Sequence, residues 1–233
     1  MFSVLGYSLL AGVGGTGLGG LLSVFLGKGK KTIGVLFCLT VGVMLSIVCF
    51  ELIPEAYAVL DVLPLAIGVI LGGVFVYFCE LLVEKNKFTK NMGSGFIIAL
   101  AIALHNFPEG MIVGTGLTSG SGKTLSVLIA LHDIPEGMAV ALPFVNEGGN
   151  KIKGVLIALL SGIPTVLGAL LGYYVSTLSA LSCAISLAFS AGAMIFVVFS
   201  ELIPDAKDLY PNEFSAIIVI LGILLGLIIT EIA

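Results

Sequence analysis

Charge is scarce in this sequence. Only 10% of its 233 residues are Asp, Glu, Lys or Arg, while 58% are hydrophobic. A soluble domain is about 25% charged and about 45–50% apolar. A surface so poor in charge cannot be solvated by water alone, so the solvent for most of it is a lipid bilayer. Arginine is absent, and the 10 basic residues are all lysines. They form no basic cluster, which excludes nucleic acid as a partner. Cysteine comes to 4, at Cys38, Cys49, Cys79 and Cys183, all in apolar runs and without a CxxC pair. They read as small buried hydrophobes rather than disulfides or ligands. No cleavable signal pattern is present, because the first apolar run is too long and lacks a basic start. Histidine comes to 2.

What is there instead is long apolar runs. Eight of them, at roughly 4–26, 32–53, 63–84, 94–117, 123–145, 153–174, 181–204 and 214–232, each approach the ~20 residues that a helix needs to cross a bilayer. No connection is long enough for a soluble domain, so residues 1–233 read as one membrane domain, all-α and polytopic. The lysines orient it. Lys28, Lys30, Lys31, Lys85, Lys87, Lys90, Lys151, Lys153 and Lys207 fall on one side, and only Lys123 on the other. Cytoplasmic loops carry the basic excess, which places both termini outside the cytoplasm. The outer loop between the second and third spans carries Glu55 and Asp61 and no lysine, a mild attraction for cations.

Two segments repeat. GVMLSIVCFELIPEA (Gly42–Ala56) is echoed by GAMIFVVFSELIPDA (Gly192–Ala206), matching at Gly, Met, the ELIP string and the final Ala. The second and seventh spans cross the membrane in opposite directions, so the echo indicates an inverted repeat, a common plan in secondary transporters. The plainer alternative is that proline ends an apolar helix twice. The fourth and fifth spans also echo each other, each with His-x-x-Pro-Glu-Gly near its middle. A 3+2+3 arrangement of eight transmembrane helices accommodates both echoes.

The chemistry lies in those two hexapeptides, His105-Asn106-Phe107-Pro108-Glu109-Gly110 and His132-Asp133-Ile134-Pro135-Glu136-Gly137. A charged group at the bilayer centre costs at least about 2.5–3.5 kcal/mol, and Glu109, Asp133 and Glu136 all lie there. No lysine shares their depth, so a bound cation is the natural compensation. His105 and Glu109 stand four apart on one helix face, as do His132 and Glu136. Two imidazoles and two carboxylates suit zinc, iron, manganese or similar ions and do not suit copper(I). Asn106 and Asp133 add oxygens about 100° further round each helix, where a second ion could share Glu109 and Glu136. Pro108 and Pro135 deprive the carbonyls of Leu104 and Leu131 of their helical donors, which mid-membrane backbone tolerates only against protein or a wet cavity. Met44 reads as packing more readily than as a thioether ligand. Glu51 and Glu201, at the ends of their spans, read equally as interfacial carboxylates and as parts of an ion path. Glu80 and Glu84 read as solvated ends.

The paired motifs, in the fourth and fifth of eight spans, resemble those of the ZIP (Zrt/Irt-like protein) family of metal transporters, over the full chain and closest to its short prokaryotic type. The resemblance implies a first metal site from His105, Glu109, His132 and Glu136, joined by Met44. It implies a second from Asn106 and Asp133 with the shared glutamates. In several prokaryotic members that second site also takes a glutamate from the sixth helix. Here Thr165 stands in its place, and the sixth span has no acidic residue, which weakens the site. The resemblance further implies that Glu201 lies near the cytoplasmic exit and Glu51 at the outer entrance. It implies import toward the cytoplasm through the cell membrane, frequent homodimers, and an elevator motion of spans 1, 4, 5 and 6. The glycines of span 1 would suit a sliding surface, or ordinary tight packing. The ion implied is zinc, with Fe2+, Mn2+, Cd2+ or Co2+ as chemical alternatives and no separate cofactor. Two other readings compete. An intramembrane metal-dependent hydrolase would normally carry more histidine ligands, as in HExxH, which is absent. An exporter of the same ions differs in nothing that the residues themselves fix.

Overall fold

A bilayer offers backbone N–H and C=O groups no partners, so an apolar chain within it satisfies them internally as helix. The computed structural model describes residues 1–26, 30–85, 94–146 and 150–232. Lys28, Lys87 and Lys90, which contribute to the orientation argument, lie outside them. Among the described residues there is no strand, and 8 helices are long and apolar enough to cross a membrane. They are α1 (Phe2–Phe25), α2 (Lys31–Tyr57), α3 (Val62–Val83), α4 (Gly95–Ser119), α5 (Gly122–Val145), α6 (Lys151–Leu178), α7 (Ala180–Leu209) and α8 (Ser215–Ile232). Large side chains such as Leu63, Ile70, Leu82 and Ile228 stand exposed on α3 and α8, as a lipid-facing surface requires. Over an 18-residue stretch of each of those helices only 17% of the residues are buried, against 67% in α2 and α5, so α3 and α8 are peripheral and the core lies between the others.

The ELIP prolines do not end their helices. Each is preceded by a wide turn of π-helix, Ile47–Leu52 in α2 and Val198–Leu202 in α7, after which α-helix resumes at Ile53 and Ile203. Pro54 and Pro204 sit in the first turn after the bulge, where a missing N–H is tolerated. Glu51 and Glu201 therefore lie inside π-turns rather than at helix ends. Such bulges are frequent at functional positions. Pro108 and Pro135 are likewise carried within continuous helix. α6 alone is interrupted in mid-course, between Lys151–Ser161 and Ile163–Leu178, at Gly162 and ahead of Pro164.

Glycine decides which helices touch. A Cβ at Gly110 would strike the Thr165 carbonyl, and one at Gly137 the Thr16 carbonyl, so α4 lies backbone to backbone on α6, and α5 on α1. The α3–α7 and α2–α8 pairs close in the same way, through Gly72 on the Phe189 carbonyl and Gly222 on the Leu39 carbonyl. In α1, Gly12 meets Gly162 and Thr165 of α6, while Gly15 and Gly19 meet Ala130 and Ile134 of α5. The glycines of α1 are thus used for tight packing within the α1, α4, α5 and α6 group, not as a surface against α2 or α7. All four cysteines are free, with Cys38 buried and Cys49 exposed rather than buried.

Candidate metal centre

α4 and α5 bring the two hexapeptides face to face, and every ionisable group in them is at most 3% exposed. Ligand atoms of Glu109, His132, Asp133 and Glu136 all lie within 4.8 Å of one another. His132 Nε2 stands 3.2 Å from Glu109 Oε1 and 3.3 Å from Asp133 Oδ1. His105 Nε2 stands 3.3 Å from Glu136 Oε2. Each histidine thus faces the glutamate of the other helix. Donors of one tetrahedral zinc, at about 2.0–2.2 Å from it, stand about 3.3–3.6 Å apart, so the widest pairs of the cluster would draw in by roughly 1 Å to close on an ion.

The polar atoms support that reading. Both oxygens of Glu109 and Asp133, Oε1 of Glu136 and both ring nitrogens of His132 are buried without a hydrogen-bonding partner. An unsatisfied buried polar group costs about 1–3 kcal/mol, and a concentration of them in one place calls for a ligand. Three carboxylates and two imidazoles fit a divalent cation of the zinc, iron or manganese type.

Asp133, placed by sequence beside the site, stands inside the tight cluster. Asn106 is engaged elsewhere: its Nδ2 donates to the Ser161 carbonyl at the interruption of α6, 2.9 Å away, and its Oδ1 is buried without a partner. Thr165 is fully buried, its hydroxyl unpartnered and set against Gly12. Met44 is fully buried in the apolar core.

Glu51 and Glu201 are placed differently. Glu201 Oε2 lies 3.6 Å from His105 Nδ1. Glu51 is turned toward Thr230 and has Glu55 and Glu231 as neighbours.

A cavity of about 240 Å³ reaches His105 and Glu136 and runs past Ser200 and Glu201 to Asp205, which is exposed. A neighbouring cavity of about 260 Å³ is lined by Glu80, Ala101, Leu104, Ser200 and Glu201. Both lie toward the end of the bundle that carries Lys207. Toward the opposite end the site is covered by Ile112, Leu125, Leu128 and Ile129, all with no exposure. An apolar cavity of about 220 Å³ borders His132 between α2, α5 and α8, while the cavity that reaches His105 and Glu136 leads toward the lysine-bearing end. Glu80, read from sequence as a solvated end, and Asp205, which sequence did not single out, both line this approach. The weak signal for Asp205 was its place four residues after Glu201, one helical turn further along the same face.

Comparison with known proteins followed the same residues. The model of the family described as ZIP Zinc transporter matches residues 83–232. A protein named zinc transporter ZupT from Streptococcus mutans is 31% identical over 97% of this chain and 95% of its own length. A ZupT from Chlorobium limicola is 32% identical, over 97% and 94%. Zinc transporter GufA from Myxococcus xanthus is 32% identical over 62% of this chain and 61% of its own length.

Proposed function

The chain belongs to the ZIP family of zinc transporters, and from that premise we propose that it carries zinc across a cell membrane, toward the cytoplasm, through the cluster of Glu109, His132, Asp133 and Glu136 with His105. It is a multi-pass transporter rather than an enzyme. The observation that carries the proposal is the buried donor cluster with a cavity leading from it toward the lysine-bearing end. Differential access is what a carrier needs, since an ion must meet one face of the membrane at a time.

The finer parts of the proposal have their own supports. Lys151, Lys153 and Lys207 mark the cytoplasmic face, which puts the His105 cavity on the cytoplasmic side and both termini outside. The 3+2+3 inverted plan is supported by the twin π-turns and by the paired contacts α4–α6 with α5–α1, and α3–α7 with α2–α8. His105, Glu109, His132, Asp133 and Glu136 hold one ion. Asn106 and Asp133 mark a second, weaker position where Thr165 offers a hydroxyl in place of a carboxylate. Met44 serves packing. Glu201 lies on the cytoplasmic exit and Glu51 on the outer side. The family's tendency to dimerise extends the proposal to a homodimer in the bilayer.

The test is uptake in proteoliposomes. We expect saturable entry of zinc, with Fe2+, Mn2+, Cd2+ and Co2+ competing in proportion to their own transport. Zinc flux equal to that of empty liposomes, at every imposed ion or proton gradient, would overturn the proposal.

A further inference from the structure

The echoes between α2 and α7, and between α4 and α5, pair positions across the chain. Glu51 of α2 has its twin in Glu201 of α7, Thr40 in Ser190, Val43 in Ala193, and His132 of α5 has its twin in His105 of α4. If the halves were also arranged alike, whatever faces His105 would have a twin facing His132. The structure departs from this. His105 has the Glu201 carboxylate 3.6 Å from its Nδ1, close to but beyond hydrogen-bonding distance, whereas the carboxylates beside His132 are Glu109 and Asp133 of the site itself and Glu51 is turned to Thr230. His132 borders a small apolar cavity with Thr40 and Val43. α5 therefore meets α2 two to three turns away from the level at which α4 meets α7.

The offset has a direction. On α2, the step from Thr40 to Glu51 leads away from the lysine-rich end. On α7, which runs the other way, the step from Glu201 to Ser190 leads away from it too. One shift of the α4–α5 pair, roughly 12–17 Å at about 1.5 Å per residue, would carry His132 to Glu51 and His105 to the level of Ser190. Ser190 is buried with its hydroxyl unpartnered, and the shift would bring a partner to it.

We propose that Glu51 and Glu201 are alternate positioning residues for one metal-carrying helix pair: Glu201 holds His105 in the conformation described above, and Glu51 holds His132 in a second, outward-facing one. Each conformation sets one imidazole beside a carboxylate from the opposing helix and leaves the other without one. The exchange is close to balanced, which keeps two states near enough in energy for both to be populated. The inference rests on the transport reading, because only a carrier requires the second state.

The experiment uses the full chain with its four cysteines replaced by alanine and Ala101→Cys added as a reporter, Ala101 being a lining residue of the His105 cavity. An impermeant thiol reagent is applied from the lysine-rich side. Glu201→Gln is expected to slow labelling several-fold by releasing His105, and Glu51→Gln to speed it. A merely structural glutamate would not move the two variants in opposite directions. In the same cysteine-free background without the reporter, Glu51→Cys with His132→Cys is expected to cross-link under a mild oxidant, as is Glu201→Cys with His105→Cys. Labelling changes of the same sign, or no 51–132 cross-link from a chain that forms the 105–201 one, would overturn the inference. Zinc uptake by the cysteine-free parent reports on the transport reading separately. A parent that transports zinc, with a Glu51→Cys, His132→Cys variant that does not cross-link while the Glu201→Cys, His105→Cys variant does, refutes the latch alone.

Discussion

At the scale of the residue, the two histidines show how much a hexapeptide settles and what it leaves open. His-x-x-Pro-Glu-Gly announces a buried imidazole and carboxylate on one helix face, and spacing alone brings that much into view. It does not reveal that each histidine turns to the glutamate of the other helix, or that Glu201 arrives beside His105. Those contacts depend on the relative height of helices far apart in sequence, which no local pattern encodes. Asn106 is the clearest case. Read as a ligand oxygen from its position beside His105, it commits its amide to the Ser161 carbonyl. Replacing Asn106 by Ala leaves that carbonyl without this donor, and we expect it to lower the stability of the metal-free protein by about 1–3 kcal/mol. Thermal unfolding in detergent measures this; an unchanged melting curve would show the hydrogen bond to be idle.

At the scale of the element, prolines and glycines carry the information, and they divide by how local their effects are. Pro54 and Pro204 looked like helix ends because proline cannot donate to the preceding turn. The chain instead absorbs each missing bond in a π-turn and continues to Tyr57 and Leu209, a solution that the apolar run did not disclose. The glycines were visible, but not their partners. In a bilayer, small residues are chosen for close backbone approach, and which backbone they approach is a property of the assembled bundle. This gives a paired prediction. Gly110→Ala forces a methyl into the Thr165 carbonyl and should cost about 1–3 kcal/mol, as overpacking does. Gly6→Ala meets nothing within 4 Å and should be neutral or stabilising by up to about 1 kcal/mol. Melting temperatures of the two variants that fall together would mean that the α4–α6 contact is looser than described.

At the scale of the whole molecule, eight crossings were legible because a bilayer permits so few structures. Their boundaries came within a few residues, the largest miss being the tails of α2 and α7 beyond the ELIP prolines and of α6 toward Leu178. The pairing of helices was not legible. Spans this apolar carry no strong polar stripe to say which face looks inward, so the burial of α2 and α5 and the exposure of α3 and α8 emerge only from packing. The cavity that leads from the site past Glu201 to Asp205 is likewise a property of the assembled protein. What ties the three scales together is Glu136, which belongs to the donor cluster, pairs with His105 and faces the cavity. The most direct measurement is therefore zinc uptake into proteoliposomes by Glu136→Ala beside the parent chain, with size-exclusion chromatography to show that both are folded. The account predicts saturable uptake by the parent and none above background by the folded variant; uptake by Glu136→Ala at the parent's rate and affinity would contradict it.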